Sequence, residues 1–135
     1  MDTVKCRSLK ADLSAQAEPQ IVDINRFLDG NNDLGSIGCN LMEHPGIDAF
    51  REAFSKLQRR PDVQAVYAQI TELDPAEDAW PFTDTIVVVG SISAEELRDH
   101  LAHLEPDEVG PADPDSISPE LSANDRESAL IAWWD

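Results

Sequence analysis

Apolar residues recur at helical spacing in two segments of the chain. The first spans residues 45–60, and its apolar face consists of Ile47, Phe50, Phe54 and Leu57. The second follows Ser93, ends at Pro106, and has an apolar face of Leu97, Leu101 and Leu104. Ser93 and Glu96 match a capping box, in which each side chain bonds the other residue's backbone N–H. Because this spacing is typical of amphipathic helices, the pattern predicts two of them.

Other segments have the pattern of strands. Residues 62–73 alternate, with Val66, Ala68 and Ile70 on one side, which predicts a half-buried strand. Residues 83–92 contain four consecutive apolar residues, Ile86 to Val89, which predicts a central strand covered on both faces. Two short segments, 20–28 and 37–41, flank a cluster of Gly, Asn and Asp and predict a β-hairpin.

The order of these elements is β-β-α-β-β-α, with a possible further strand at residues 130–134. It predicts an α+β domain, with an antiparallel or mixed sheet of four to five strands and both helices packed on one face. Something must cover the other face of the central strand. We expect the Trp133-Trp134 pair to do so, because indole rings bury a large apolar area.

The domain organisation follows from the same patterns. Residues 1–18 have weak periodicity and predict a mobile arm or a marginal helix. Residues 19–104 contain the α+β domain. Residues 105–127 hold four prolines and many acids, and predict an acidic loop without a core of its own. Residues 128–135 are expected to pack back on the domain.

The charge of the chain is far from balanced. Its 135 residues include 27 acidic and 10 basic ones, for a net charge of −17. This excess argues against binding to nucleic acid or to an anionic membrane, since both depend on Lys and Arg. It permits a basic protein as a partner, although acidity can also serve solubility alone.

Cysteine content and hydropathy indicate the compartment. Cys6 and Cys39 are the two cysteines, and they form no CxxC or metal-type spacing. The first twenty residues contain no apolar core of a signal peptide, and no run of about 18 apolar residues occurs. We therefore expect a cytoplasmic protein with two free thiols and no membrane span.

The stretch FLDGNNDLGSIGC, residues 27–39, resembles a calcium loop. Asp29, Asn31 and Asp33 occupy positions 1, 3 and 5 of such a loop. The required glycine comes one residue late, however, and position 12 is Asn40, which cannot supply a bidentate carboxylate. The stretch therefore predicts a turn built from residues that tolerate positive φ, and no metal site.

Two other pairs could carry chemistry. Cys39 and His44 are close enough in sequence to form a nucleophile and its base, but Cys39 continues an apolar alternation and is expected in the core. His100 and His103 lie one helical turn apart and could share a metal, but no third ligand is identifiable. Structural or exposed histidines are the favoured interpretation.

No cofactor is expected. The turn from Gly90 to Ser93 joins a strand to a helix, a geometry that can hold a phosphate on backbone N–H groups. Glu95 and Glu96 in the first helical turn would repel that anion. The chain also contains no glycine-rich nucleotide-binding motif.

One segment is more typical of recognition than of catalysis. Trp80 and Phe82 lie among five acids, and we call these seven residues the aromatic–acidic patch: Glu72, Asp74, Glu77, Asp78, Trp80, Phe82 and Asp84. Aromatic anchors ringed by charge are common in binding hot spots, and the acids would steer a basic partner toward them. Alternatively, Trp80 and Phe82 fold inward and seal the end of the sheet.

These observations favour a small acidic cytosolic binding or regulatory protein, of the inhibitor or immunity type, that engages a basic protein. An alternative is a small hydrolase-like enzyme that uses the acids around residues 74–84 or the Cys39/His44 pair. A further alternative is a homo-oligomer, such as a homodimer, that buries Trp133 and Trp134 between subunits.

Overall fold

The computed structural model describes residues 1–135 and contains one five-stranded antiparallel sheet and five α-helices. The strands are β1 (Ile21–Asp23), β2 (Val63–Gln69), β3 (Thr85–Gly90), β4 (Glu108–Pro111) and β5 (Leu130–Trp133). The helices are α1 (Thr3–Ser14), α2 (Ile24–Leu28), α3 (Ile47–Gln58), α4 (Ala94–Leu101) and α5 (Ala123–Ser128). The sheet order is β1-β2-β3-β5-β4. The α+β class and the strand count are confirmed.

The central strand β3 is buried on both faces, as predicted. Ile86 and Val88 contribute to the main apolar core on one face, which also holds buried residues of α1 to α4. Val87 and Val89 point the other way, into a smaller apolar cluster. Alternate side chains of a strand point to opposite faces, so a continuous apolar run serves both clusters.

Helices α3 and α4 pack on the same face of the sheet, as predicted. The Ser93 hydroxyl accepts the backbone N–H of Glu96 at 3.1 Å, which caps α4. The Glu96 carboxylate instead pairs with Arg60, just beyond the end of α3. Arg60 also donates two hydrogen bonds to Asp62, which hold the pKa of that carboxyl below its usual range. The ion pair between Arg60 and Glu96 thus connects the end of α3 to the start of α4.

The second face of the sheet is covered by the segment that follows β4. Ile117, Leu121 and Ala129 are buried there against β3. The predicted acidic loop at residues 105–127 is therefore wrong, because this segment contains β4 and most of α5 and has an apolar underside. Its few apolar residues are separated by acids and prolines, so they show no regular spacing from which the strand and the helix could be predicted.

Of the two C-terminal tryptophans, Trp134 does not lie on that second face. Trp134 lies in the main core, where its indole N–H donates to the carbonyl of Leu104 at 2.8 Å. Trp133 is half-buried in β5, opposite Thr85 of β3, on the same side of the strand as Ile131, which packs against the smaller cluster. β5 confirms the possible last strand, and it inserts between β3 and β4 rather than lying at an edge.

The N-terminal segment is an integral helix. The Asp2 carboxylate accepts the backbone N–H of Lys5 at 3.0 Å and so caps α1. Three residues of α1 on one face are buried in the main core: Cys6, Leu9 and Leu13. Of the two alternatives for residues 1–18, the mobile arm is wrong and the helix is correct, and its three core residues make it more than marginal. Their spacing matches a helix even though most of the intervening residues are polar.

The predicted hairpin between residues 20 and 41 is also wrong. β1 has only three residues and pairs with β2, and α2 follows it at once. The Asp23 carboxylate accepts the N–H of Asn25 at 2.8 Å and starts this helix. Ile37 forms only an isolated bridge with Thr83. A local cap therefore overrides the strand preference of the apolar residues around it.

Both edges of the sheet are covered by side chains. The Gln16 amide bonds both the N–H and the carbonyl of Ile21 in β1, at 2.8 and 3.0 Å. On the opposite edge, Arg98 donates to the carbonyl of Val109 in β4 at 2.8 Å, and Pro111 has no N–H to offer. These contacts obstruct the addition of a further strand.

None of the helices combines the length and the apolar character needed to cross a lipid bilayer.

Candidate functional site

The aromatic–acidic patch lies on the long connection between β2 and β3. Glu72 and Phe82 form an isolated antiparallel bridge, in which the Phe82 N–H donates to the Glu72 carbonyl at 2.8 Å. The Thr71 N–H donates to the Phe82 carbonyl at 2.9 Å. The base of the connection is therefore closed, and the acidic residues between these positions form its outer part.

Trp80 is not an exposed anchor. It is only 1% exposed and belongs to the main core. Its backbone N–H donates to the Asp33 carboxylate at 3.1 Å, while its indole N–H has no hydrogen-bond partner. Phe82 is half-buried. The hot-spot interpretation of Trp80 is thus corrected, and the inward-folded alternative describes this residue.

Two acids of the aromatic–acidic patch bind groups of the same chain. Asp74 accepts from the Lys10 ammonium of α1 at 2.8 Å. Asp84 accepts from the hydroxyls of Thr71 and Thr85 at 2.7 and 2.8 Å. The remaining three acids of the patch are exposed and form no ion pair: Glu72, Glu77 and Asp78. The patch therefore divides into a structural part and a free part.

The stretch that resembles a calcium loop uses its oxygens within the chain. Asp33 accepts the backbone N–H groups of Gly35 and Trp80 at 2.9 and 3.1 Å. The buried Asn31 side chain accepts the Asp33 N–H at 2.9 Å and donates to the Ser36 hydroxyl at 2.9 Å. Asp29 pairs with Lys5 at 2.8 Å. These contacts hold the turn together and connect it to α1 and to Trp80.

Cys39 and His44 do not form a nucleophile pair. The His44 Nδ1 accepts the Gly46 N–H at 2.9 Å, so the proton lies on Nε2, which donates to the Ile37 carbonyl at 2.7 Å. The Cys39 thiol contacts Asn40 instead, at 3.7 Å, and partial desolvation raises its pKa. No hydrogen bond joins the two side chains.

Cys39 is exposed, so its predicted place in the core is wrong. The reason is the preceding Gly38, which has a φ of 66° and ends the alternation that the sequence indicated. A Cβ at Gly38 would lie 2.8 Å from the Phe50 ring, so the turn also requires a close approach to α3. The chain reverses there, and Cys39 turns away from the core.

His100 has a structural contact, as favoured from the sequence. Its Nε2 lies 3.0 Å from the Ala53 carbonyl of α3 and so joins α4 to α3. His103 is exposed one turn further along. No group of three or more Cys, His, Asp or Glu side chains has the geometry of a metal site.

A second acidic surface is absent from the sequence-based predictions. A cavity of about 550 Å³ lies between the loop before α3 and the end of the chain. We call it the Met42 groove, and its lining consists of Asn40, Leu41, Met42, Glu43, Glu105, Asp107, Trp134 and Asp135. The Met42 side chain is fully exposed, at 101% of its reference area. Because these residues come from three separate segments, no local pattern could have revealed the groove.

Carboxylates greatly outnumber their basic partners over the whole surface. The ion pairs engage seven of the 27 acidic side chains and leave twenty without a pair. Six of the ten basic residues are already engaged in these pairs: Lys5, Lys10, Arg26, Arg51, Lys56 and Arg60. The surface is therefore dominated by uncompensated negative charge.

Comparison with known proteins assigns the chain to a family. Residues 4–130 match the family described as "Uncharacterized protein YfbO family". The chain belongs to the YfbO family. It is similar to the protein YfbO of Escherichia coli (strain K12), with 29% identity over 103 residues that cover 75% of this chain and 72% of that protein. No solved structure matches the chain. In this YfbO family member, the residues that match the family run from α1 to the first residue of β5, so α1 is part of the matched region.

Proposed function

We propose that this chain is a non-enzymatic binding or regulatory protein, of the inhibitor or immunity type, that engages a basic protein. The observation that carries the proposal is the set of twenty acidic side chains that have no ion pair. Such a surface attracts a basic partner over a distance and accelerates its association.

The covered sheet edges support recognition through side chains. A partner that added a strand would need the free N–H and carbonyl groups of β1 or β4. Gln16 and Arg98 bond such groups, and Pro111 lacks an N–H. The proposed contact is therefore electrostatic and involves the outer faces of loops rather than the main chain of the sheet.

The contacts around the histidines favour this role over the hydrolase alternative. Both ring nitrogens of His44 are occupied by backbone groups, and Cys39 has a thiol with a raised pKa and no adjacent base. The homo-oligomer alternative required both Trp133 and Trp134 at a subunit interface. Trp134 is buried within its own chain and is not available for such a contact. The proposal places the protein in the cytoplasm, which fits two free thiols, one buried and one exposed.

A salt-dependent capture experiment tests the proposal. The purified chain is immobilised and incubated at low salt with an extract of its native cells, beside an unrelated protein of similar net charge as the control. A partner retained by this chain alone is purified, and its association rate is measured at increasing NaCl. We expect a basic partner whose association rate falls at least about tenfold toward 0.5 M NaCl. A partner with a salt-independent rate, or no specific partner at low salt, would contradict the proposal.

A further inference from the structure

We infer that the Met42 groove is the docking site for a basic segment of the partner protein, with an aliphatic or aromatic side chain between its lysines or arginines. This inference rests on the proposed function and adds the location and the chemistry of the contact. It follows from an exposed apolar side chain, a cavity beside it, and unpaired carboxylates around both.

The apolar part of the groove is unusual for this molecule. Met42 is fully exposed, and Leu41 beside it is half-buried against the main core. A long unbranched thioether fits differently shaped apolar partners at little strain. The cavity of about 550 Å³ falls within the range of protein ligand sites and has room for a large apolar side chain.

The charge around the groove has one sign only. Glu43, Glu105 and Asp107 are exposed, none of them forms an ion pair, and no basic residue lines the cavity. One Asp107 oxygen accepts the Asp135 N–H at 2.6 Å, which positions this carboxylate at the rim. A lysine or arginine that enters would meet several carboxylates and no competing cation.

Two other cavities show what makes this one different. One includes the exposed Met1 and the other the exposed Leu34, but the first is also lined by Arg7 and the second by Arg51. A cation of the chain itself therefore already contributes to each of them. Of these three cavities, only the Met42 groove combines an exposed large apolar residue with unpaired acids and no internal cation.

Both features together select the occupant. Carboxylates favour lysine and arginine, and they disfavour a nucleic acid or an anionic lipid surface. The exposed Met42 side chain contributes only if the partner packs carbon against it, so a purely basic segment gains less. The best fit is a segment that places one apolar side chain on Met42 and basic side chains at the rim.

The test uses a short fluorescent peptide with two lysines on each side of a leucine–phenylalanine pair, and a second peptide with two serines in place of that pair. Binding to the full chain is followed by fluorescence anisotropy at low salt. The groove variant is E43Q/E105Q/D107N. A charge-matched control, D115N/E120Q/E127Q, changes exposed acids on the segment that covers the other face of the sheet. A third variant, E72Q/E77Q/D78N, changes the free acids of the aromatic–acidic patch.

We expect the groove variant to weaken binding of the first peptide at least about tenfold, while the control and patch variants weaken it less than about twofold. Met42→Ser should weaken the leucine–phenylalanine peptide and leave the serine peptide unchanged. All the substituted side chains are exposed, so near-ultraviolet circular dichroism should match the parent protein. Should the groove triple variant fail this check, E43Q/E105Q is expected to show a smaller loss in the same direction.

Three results would overturn the inference: equal weakening by all three triple variants, selective weakening by the patch variant, or no detectable binding of either peptide. None of these results affects the capture experiment with the native partner. The proposed function can therefore survive the loss of the groove. If the capture experiment instead yields no basic partner, the proposed function fails, whichever result the peptides give.

Discussion

Among the glycines, Gly90 at the end of β3 has the closest approach to another segment of the backbone. Its φ is 153°, and a Cβ there would overlap the Asp62 carbonyl and lie 3.0 Å from the Gln64 nitrogen. The same carbonyl accepts the N–H groups of Ser91 and Ile92. A side chain at this position would therefore disturb both the β2–β3 pairing and the turn into α4.

We predict that Gly90→Ala lowers the free energy of unfolding by about 3 kcal/mol or more, because backbone strain and a backbone overlap act together. Urea unfolding followed by circular dichroism measures this change. Gly110→Ala in β4 is the matched control, since a Cβ there has open space. It should change the stability by less than about 0.5 kcal/mol. Similar losses for the two substitutions would contradict the explanation.

The two buried tryptophans differ in one hydrogen bond. Trp80 has a buried indole N–H without a partner, whereas the Trp134 N–H donates to the Leu104 carbonyl. Both rings lie in the main core, so Phe substitutions leave comparable cavities. We predict that Trp134→Phe costs about 1–2 kcal/mol more than Trp80→Phe, since only the former breaks a bond. Equal costs in urea unfolding would show that the indole N–H of Trp134 contributes little.

At the scale of elements, α1 is more firmly packed than the mobile arm or marginal helix that the sequence indicated. We predict that Leu9→Ala, at a site 1% exposed, lowers the free energy of unfolding by about 2–4 kcal/mol. Val4→Ala on the same helix is the control, because Val4 is 74% exposed and should cost less than about 0.5 kcal/mol. Thermal unfolding and hydrogen exchange of α1 measure the effect. If Leu9→Ala left the free energy of unfolding unchanged, the packing of α1 in the core would be contradicted and the mobile arm would be the better description.

Elements were predictable where many apolar residues share one regular spacing. α3 and α4 have apolar stripes at helical spacing, β2 has alternating apolar residues, and β3 has a continuous apolar run. The predicted bounds of these four elements are therefore close to the observed ones. α1 and β4 bury few residues, α5 buries none, and polar residues are in the majority in α1 and α5. The short strand β1 depends on pairing with β2, a contact distant in sequence. Such elements acquire their stability from neighbours that a local pattern does not contain.

At the scale of the whole molecule, charge repulsion is the dominant property. The net charge is −17, and the Debye length falls from about 30 Å at 0.01 M salt to below 10 Å above physiological salt. We predict that NaCl at about 0.5 M raises the melting temperature by about 3 °C or more relative to low salt, which corresponds to about 1 kcal/mol. Calorimetry at constant pH measures this shift.

The seven ion pairs, four of which have both partners exposed, oppose this effect, since salt weakens them too. Exposed pairs contribute little individually, so we expect the repulsion among twenty unpaired carboxylates to outweigh them. KCl is the control and should act like NaCl, because screening depends on ionic strength. A melting temperature that falls with either salt would contradict this assignment and show that the ion pairs dominate.

The acidic surfaces show the limit of local prediction within one molecule. The acids of the aromatic–acidic patch are near one another in sequence, so the sequence was enough to find them. It did not decide that Trp80 is buried or that Asp74 pairs with Lys10. The Met42 groove combines residues near 42, 106 and 134, and only the folded chain brings them together. Exposure depends on which segments lie above a side chain, and that is a property of the tertiary structure.

Composition and periodicity alone determined the negative charge, the α+β class, helices α3 and α4, and the doubly buried strand β3, because each depends on residue type and regular spacing. The tertiary structure decided which face of β3 each apolar segment covers, that α1 belongs to the core, and where exposed apolar surface meets unpaired charge. Burial is a relation between distant segments, and a linear pattern of residues does not contain it.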